Sequence, residues 1–217
     1  MSDWTFEKFA NNFDAHVREQ LPWYELVTES VAYIARNYLP KNGLIYDIGA
    51  STGNMAKAMI PLMNERNAMM IAVESDPDMC EAFEHSDANH FRVSILNAEA
   101  QHVSYKPFDV ATIFLTAMFL PVEKQHSFIE DLYDNLRVGG AIIIVDKICD
   151  EEGYFSTVMK RLTMYWKLKN GANSEAIIDK ELSLSGIQRP LSADLLAAFG
   201  AKQFFQLGEF KGWVIEK

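Results

Sequence analysis

The residues best suited to chemistry follow a short apolar run. Leu44-Ile45-Tyr46-Asp47-Ile48 leads into Gly49-Ala50-Ser51-Thr52-Gly53-Asn54, which puts a carboxylate at the mouth of a glycine-bearing turn that opens a helix. In an open α/β sheet the ligand sits beyond the carboxyl ends of the strands, around such a turn, where glycine lets backbone approach it closely. A carboxylate here repels phosphate and suits a ligand that presents an ammonium group. Glu74 closes the next apolar run, 21 residues after Gly53, and Ser75 follows it. A carboxylate at that strand tip can accept hydrogen bonds from both hydroxyls of a ribose. Asn97-Ala98 ends a third run, where the Asn amide can address the edge of an adenine. Thr116, within Phe114-Leu115-Thr116-Ala117-Met118-Phe119-Leu120, ends the fourth, at the switch point of the sheet. Alone, each is compatible with an ordinary strand-to-helix turn or a surface acid. Their order and spacing favour a ligand.

Several chemistries are excluded. A G-x-G-x-x-G dinucleotide fingerprint needs glycine at 51, where the chain has Ser51, and no G-x-x-x-x-G-K-[ST] phosphate loop exists. His16, His85, His90, His102 and His126 show no metal-ligand spacing, so no metal is expected; His16 is kept aside because it shares a segment with Tyr24 that could cover a cofactor. The ten methionines read as core filler. Neither a Ser-His-Asp order nor an HExxH motif is present.

The elements that must position these groups alternate. Residues 5–38 read as helical, broken at Pro22. Strand candidates are Leu44–Ile48, Ala68–Val73, Phe91–Leu96, Val110–Leu115 and Ala141–Val145. Between them lie a helix over Met55–Met63, one started by Pro77 with Ser75 or Asp76 as cap, and Val122–Arg137, stopped by Gly139-Gly140. Short, uniformly apolar strands alternating with helices predict a parallel sheet covered on both faces. After Lys147 the alternation stops. Tyr154–Leu168 and Ser174–Leu184 read as helices and Ser192–Phe199 as a third, before terminal strands at Gln203–Leu207 and Trp213–Ile215. The expected fold is α/β, a doubly wound, mostly parallel seven-stranded sheet. It forms a single domain over 1–217, with an N-terminal helical segment 1–38 and a helical insertion 154–190.

The chain has 217 residues, 49% of them apolar, enough for one globular core. No run reaches the ~18 apolar residues of a spanning helix, the N-terminus has no signal-peptide pattern, and two cysteines make no disulfide framework; a cytoplasmic protein without membrane contact is expected. Charge is uneven. Residues 1–155 carry 11 basic and 24 acidic groups, a net −13, and residues 156–217 carry 9 and 6, a net +3. Lys160, Arg161, Lys167 and Lys169 read either as a solvated helix face or as a docking site for an anionic substrate.

Together these residues resemble the class I S-adenosylmethionine-dependent methyltransferases, over about 40–148 and the last two strands. Their D-x-G-x-x-x-G motif is Asp47–Gly53, with Ser51 in place of the usual central glycine. The resemblance implies S-adenosyl-L-methionine as cofactor, with Asp47, Gly49 and Gly53 at its methionine part, Glu74 at the ribose and Asn97 at the adenine; Ser51, Ser75, Ala98 and Thr116 are further cofactor-binding candidates. Nearly the whole chain is similar to the carboxy-S-adenosylmethionine synthase family. That likeness runs through the N-terminal helix with Phe13, Leu21-Pro22-Trp23-Tyr24 against V-P-G-Y, Tyr46–Gly53 against Y-D-L-G-C-S-L-G, Phe119-Leu120, Val138-Gly139-Gly140-Ala141, and Lys169-Asn170-Gly171 through Ser174-Glu175 against R-A-N-G-Y-S-E-L-E. The family places an arginine after that last stretch to pair with a cofactor carboxylate. Ungapped counting puts Leu182 there, beside Glu181, and the nearest arginine is Arg189. The expectation is therefore methyl transfer to an unidentified acceptor, a small molecule or an anionic or RNA one. Synthesis of the carboxylated cofactor from prephenate is the alternative, and a non-catalytic binding protein the second alternative. Tyr24, Thr116 and Lys147 are the catalytic candidates, and Tyr24, Phe119, Tyr165, Trp166 and Arg189 the substrate-side ones. The family resemblance, with the aromatic content of 154–190, also implies a homodimer.

Overall fold

The computed structural model describes residues 13–149 and 153–217. The expected helix over residues 5–12 lies outside them. The first helices are α1 (Phe13–Gln20) and α2 (Tyr24–Ala35), separated at Pro22 as its missing N–H and fixed φ require. Then come β1 (Leu44–Ile48), α3 (Asn54–Arg66), β2 (Met69–Glu74), α4 (Pro77–Glu84), β3 (Val93–Asn97), β4 (Phe108–Phe114), α5 (Val122–Asn135) and β5 (Leu136–Cys149). The insertion forms α6 (Tyr154–Lys169) and α7 (Ser174–Ser183), followed by β6 (Leu191–Ser192), α8 (Ala193–Ala198), β7 (Lys202–Leu207) and β8 (Phe210–Glu216).

The sheet runs β3-β2-β1-β4-β5-β8-β7. The first five strands of that path are parallel, and β8 pairs antiparallel with both β5 and β7. The expected seven-stranded path is there, and the two-residue β6 adds an eighth strand beside the end of β5. The order in which strands are added reverses between β1 and β4, and the parallel strand tips there make the crevice where a ligand enters such a sheet. Both faces are covered. Ile45, Ile143 and Val145 pack with α2 and α3 residues such as Val27, Val31, Met59 and Met63. Tyr46, Ile48, Ile142 and Ile144 pack with Phe128, Ile129 and Leu132 of α5. This period-2 alternation turns Asp47 to the face carrying α1–α3.

One boundary differs from the sequence reading. Gly139-Gly140 does not stop α5, which ends at Asn135, and the glycines lie inside β5. Leu136 is buried against the sheet, and Arg137 Nη1 donates to Asp109 Oδ2 at 2.8 Å, so the strand starts five residues before the expected Ala141. A Cβ on Gly140 would meet the Asp109 carbonyl at 2.4 Å, so this glycine serves strand proximity rather than a helix cap. Asp76 caps α4 by accepting from the N–H groups of Asp78 and Met79, and Ser192 caps α8. Among the described residues no helix is long and apolar enough to cross a membrane.

Candidate functional site

A cavity of about 650 Å³ opens over the tips of β1, β2, β4 and β5. Eight sequence-selected residues line it: Tyr24, Asp47, Gly49, Ser51, Glu74, Thr116, Phe119 and Lys147. Gly53, Ser75, Asn97, Ala98, Tyr165, Trp166 and Arg189 are outside its lining.

Asp47 is buried, and Thr112 Oγ1, its neighbour across β4, donates to Oδ1 at 2.8 Å. Its other oxygen, Oδ2, is buried with no hydrogen-bond partner among the described residues. Burial, and then the charge of Glu74 against the relief from Thr112, push the Asp47 carboxyl up to about 7. An orphaned carboxylate oxygen on a residue that lines a cavity is unfavourable until a cation meets it. The group therefore fits a ligand ammonium.

Glu74 knits the turn together. Its Oε2 accepts from Ser51 N–H at 2.8 Å and its Oε1 from Asp76 N–H at 2.9 Å. Burial raises its pKa, partly offset by those N–H groups. Each oxygen keeps a lone pair for a hydroxyl. The link also explains how Ser51 replaces glycine: it holds a left-handed φ of +50°, and its N–H is anchored by Glu74. Gly49 has φ +73°, and a Cβ there would lie 2.0 Å from Thr116 Oγ1, so no side chain fits between the turn and the β4 loop. Gly53 plays the same part behind the turn, against Ala88 and Phe83. Asn97 faces Glu74 across the β2–β3 register and donates from Nδ2 to the Glu74 carbonyl at 2.9 Å. Its Oδ1 stays at the exposed strand tip.

α1 and Tyr24 cover the cavity. Asp14 accepts from Thr52 Oγ1 at 2.9 Å and from Asn54 Nδ2 at 2.6 Å, tying α1 to the start of α3. Asn54 Nδ2 also reaches the Tyr24 hydroxyl at 3.3 Å, and burial pushes that phenol up to about 12. His16, kept aside in the sequence reading, lines the cavity near Lys180.

Pattern reading missed Asn54, Met55, Met79, Lys180, Glu181 and Gln188, all of which line the cavity. Asn54 and Met55, the first residues of α3, were within reach of the motif; the α7 residues carried no local signal. Among the described residues no group of three or more His, Cys, Asp or Glu could hold a metal.

Residues 45–140 match the family described as methyltransferase domain. A carboxy-S-adenosyl-L-methionine synthase of Staphylococcus epidermidis is 31% identical over 87% of this chain and 83% of its own. One from Shewanella piezotolerans is 24% identical over 88% and 80%. The chain belongs to the carboxy-S-adenosyl-L-methionine synthase family. Among solved structures, an O-methyltransferase family protein from Burkholderia thailandensis superposes with a TM-score of 0.60 at 13% identity, over 94% of this chain and 57% of that one. Human N-acetylserotonin methyltransferase in complex with SAM gives 0.56 at 13%, over 91% and 53%. These likenesses show the shared Rossmann-like fold. By domain and fold the chain is an S-adenosyl-L-methionine-dependent methyltransferase, with S-adenosyl-L-methionine as cofactor or substrate.

The family resemblance puts Leu182 where an arginine is expected, with Arg189 the nearest arginine. Leu182 is exposed and points away, but its neighbours Lys180 and Glu181 line the cavity together with Lys167 and Lys147. Arg189 is half-buried outside the lining, its backbone N–H donating to Met118 O and its carbonyl accepting from Gln125 Nε2. Tyr165 is exposed and packs edge-on against Trp166 on α6.

Proposed function

We propose that this protein transfers the methyl group of S-adenosyl-L-methionine to an acceptor bound in the same cavity. The observation that carries this reading is the unpartnered Asp47 Oδ2 beside Glu74 at adjoining strand tips. Glu74 also ties the turn together through Ser51 and Asp76, but Asp47 Oδ2 has no partner among the described residues, and a ligand ammonium supplies one. When bound, the cofactor supplies a methyl group made electrophilic by its sulfonium. The chain supplies position. Asp47, with Gly49, Ser51 and Gly53, takes the amino-acid end; Glu74 and Ser75 take the ribose; Asn97 and Ala98 take the adenine. Tyr24 and His16 close over the site and exclude water, and Thr116, Phe119 and Lys147 face the acceptor, whose placement provides most of the acceleration in such a transfer. Tyr24, with its hydroxyl held to about 12, is a positioning group rather than a proton acceptor near neutral pH.

A second reading, manufacture of the carboxylated cofactor from prephenate, is supported by the names of the relatives above. Mass spectrometry of the ligand that copurifies decides between them. S-adenosylmethionine or its demethylated product is expected, and a species heavier by a carboxylate would promote the second reading. Failure of purified protein to bind S-adenosylhomocysteine in calorimetry would overturn both and favour a non-catalytic scaffold. The proposed working form is a cytoplasmic homodimer of single-domain chains, joined through the 154–190 insertion.

A further inference from the structure

Asp146 on β5 is fully buried and lies outside the cavity lining, yet it meets the backbone of the turn that walls one side of the cavity. Alternation along β5 turns Lys147 to the cavity and Asp146 to the opposite face, with Ile144. Its Oδ2 accepts from Met118 N–H at 3.1 Å and its Oδ1 from Lys147 N–H at 2.8 Å. The N–H groups of Thr116 and Ala117 add to its stabilisation. Successive N–H groups converging on one anion make a backbone nest, filled here by the chain's own carboxylate. The held turn is strained at its entry. Leu115 has a left-handed φ of +57°, and its N–H donates to Val145 O at 2.7 Å. A leucine keeps that conformation only where its surroundings over-determine it. Val145 and Asp146, adjacent on β5, hold the residues on both sides of the strain.

The turn matters for what it carries. Leu115, Thr116, Met118 and Phe119 all line the cavity. Thr116 fills the space that a Cβ on Gly49 would need, so the height of this turn sets its spacing from the β1–α3 turn. From its other side, Met118 O accepts from Arg189 N–H at 2.6 Å. A neutral side chain of equal size would fill the room beneath the turn, but only a carboxylate offers acceptors on both oxygens. The group is retained against its own cost, because burial pushes its carboxyl up to about 7 in spite of those N–H groups. Such costly groups gather where function needs a fixed geometry. We propose that Asp146 is a positioning residue for methyl transfer, holding Thr116 against the Gly49 turn, and Met118 and Phe119 in the acceptor wall, from beneath the cavity. This role rests on the methyltransferase reading and adds to it a residue outside the cavity lining.

Calorimetry with S-adenosylhomocysteine at about pH 8, where the carboxyl is ionised, compares wild type with Asp146→Asn and Asp109→Asn. Asp109 is the control: it is also buried, and it accepts from Leu44 N–H and Arg137 at the opposite end of the sheet. Asp146→Asn keeps the size but turns a donor toward N–H groups. It should lower affinity by about fivefold or more, whereas Asp109→Asn should stay within about twofold of wild type. In a Thr116→Ala background the Asp146→Asn change should cost less than about twofold, because it acts through that side chain. Unchanged affinity in Asp146→Asn, equal losses in both aspartate variants, or the full loss retained without the Thr116 side chain each overturns the role. Hydrogen exchange in ligand-free wild type reads the hold even if Asp146→Asn fails to fold. The Met118 amide should exchange within about tenfold of those of Ile143 and Ile144 in the β5 core, and fast exchange there overturns the hold. A wild type that binds no S-adenosylhomocysteine removes the cofactor reading, while Met118 exchange still decides whether the turn is held.

Discussion

At Asp47 the chain accepts an unfavourable group in the empty fold so that it can be satisfied by a ligand. The carboxyl sits near 7 against an ordinary value of 3.8, a difference on the order of 4 kcal/mol between its two protonation states. The folded protein holds this proton more tightly than the unfolded chain. The contribution to stability is therefore full below about pH 4, falls as pH rises toward 7, and is lost above it. Asp47→Asn keeps an acceptor for Thr112 and removes the buried charge. It should stabilise the ligand-free protein at pH 8 by a few kcal/mol at most, read as a higher melting temperature, with the gain fading toward pH 4. The same variant should lose S-adenosylhomocysteine affinity by at least about tenfold. In the wild type that affinity should climb between about pH 6 and 8, as the ligand ammonium requires the ionised carboxylate. Asp146, also buried and pushed up to about 7, titrates in the same window, so the test is the difference between wild type and Asp47→Asn. A flat difference would remove the ammonium assignment. This residue was legible in the sequence, because a carboxylate at a strand tip before a glycine turn is a local pattern.

Among elements, the β1–α3 turn and the β4 loop depend on each other. Gly49 and Thr116 leave no room for a methyl between them, and φ at Gly49 is left-handed. Gly49→Ala should cost about 1–3 kcal/mol in a thermal melt and lower S-adenosylhomocysteine affinity by at least about tenfold. Gly139→Ala is the control: φ is also positive, but nothing lies within 4 Å of the added carbon. Its cost should stay near the ~1 kcal/mol of left-handed strain alone, with affinity unchanged. Equal losses in both would mean that backbone strain, rather than the contact with Thr116, dominates at Gly49. The sequence reading placed these elements well wherever periodicity and caps agreed, as at Pro77 and Ser192. It misread Gly139-Gly140, because a glycine pair stops a helix and admits a close strand by the same lack of a side chain. Only the pairing of β4 with β5 distinguishes the two.

For the whole molecule, the insertion leaves apolar bulk uncovered. Tyr154, Phe155, Tyr165 and Leu168 of α6 and Ile178 and Leu182 of α7 are exposed, more than single scattered residues of an ordinary surface. This supports the proposed homodimer, since aromatic enrichment marks interface cores. Light scattering at tens of micromolar should give twice the 24.7 kDa chain mass, and Phe155→Glu with Leu182→Glu should return it to one. A monomeric wild type would sink this proposal and leave the cavity intact as a test of the rest.

What the sequence determined by itself was set by short-range physics. Apolar periodicity laid out alternating strands and helices, glycine and capping residues marked the turns, and the strand-tip acids Asp47 and Glu74 announced the ligand face. Tertiary structure alone decided which distant side chains share a cavity. Lys147, Lys167 and Lys180 lie on separate elements and meet only because α6 and α7 fold over the end of β5, where each ammonium loses water and must find a partner. Counting along the chain led to Leu182 and found no arginine there. Helical geometry turns that residue to solvent and its neighbours inward, because positions one apart on a helix face about 100° away from each other.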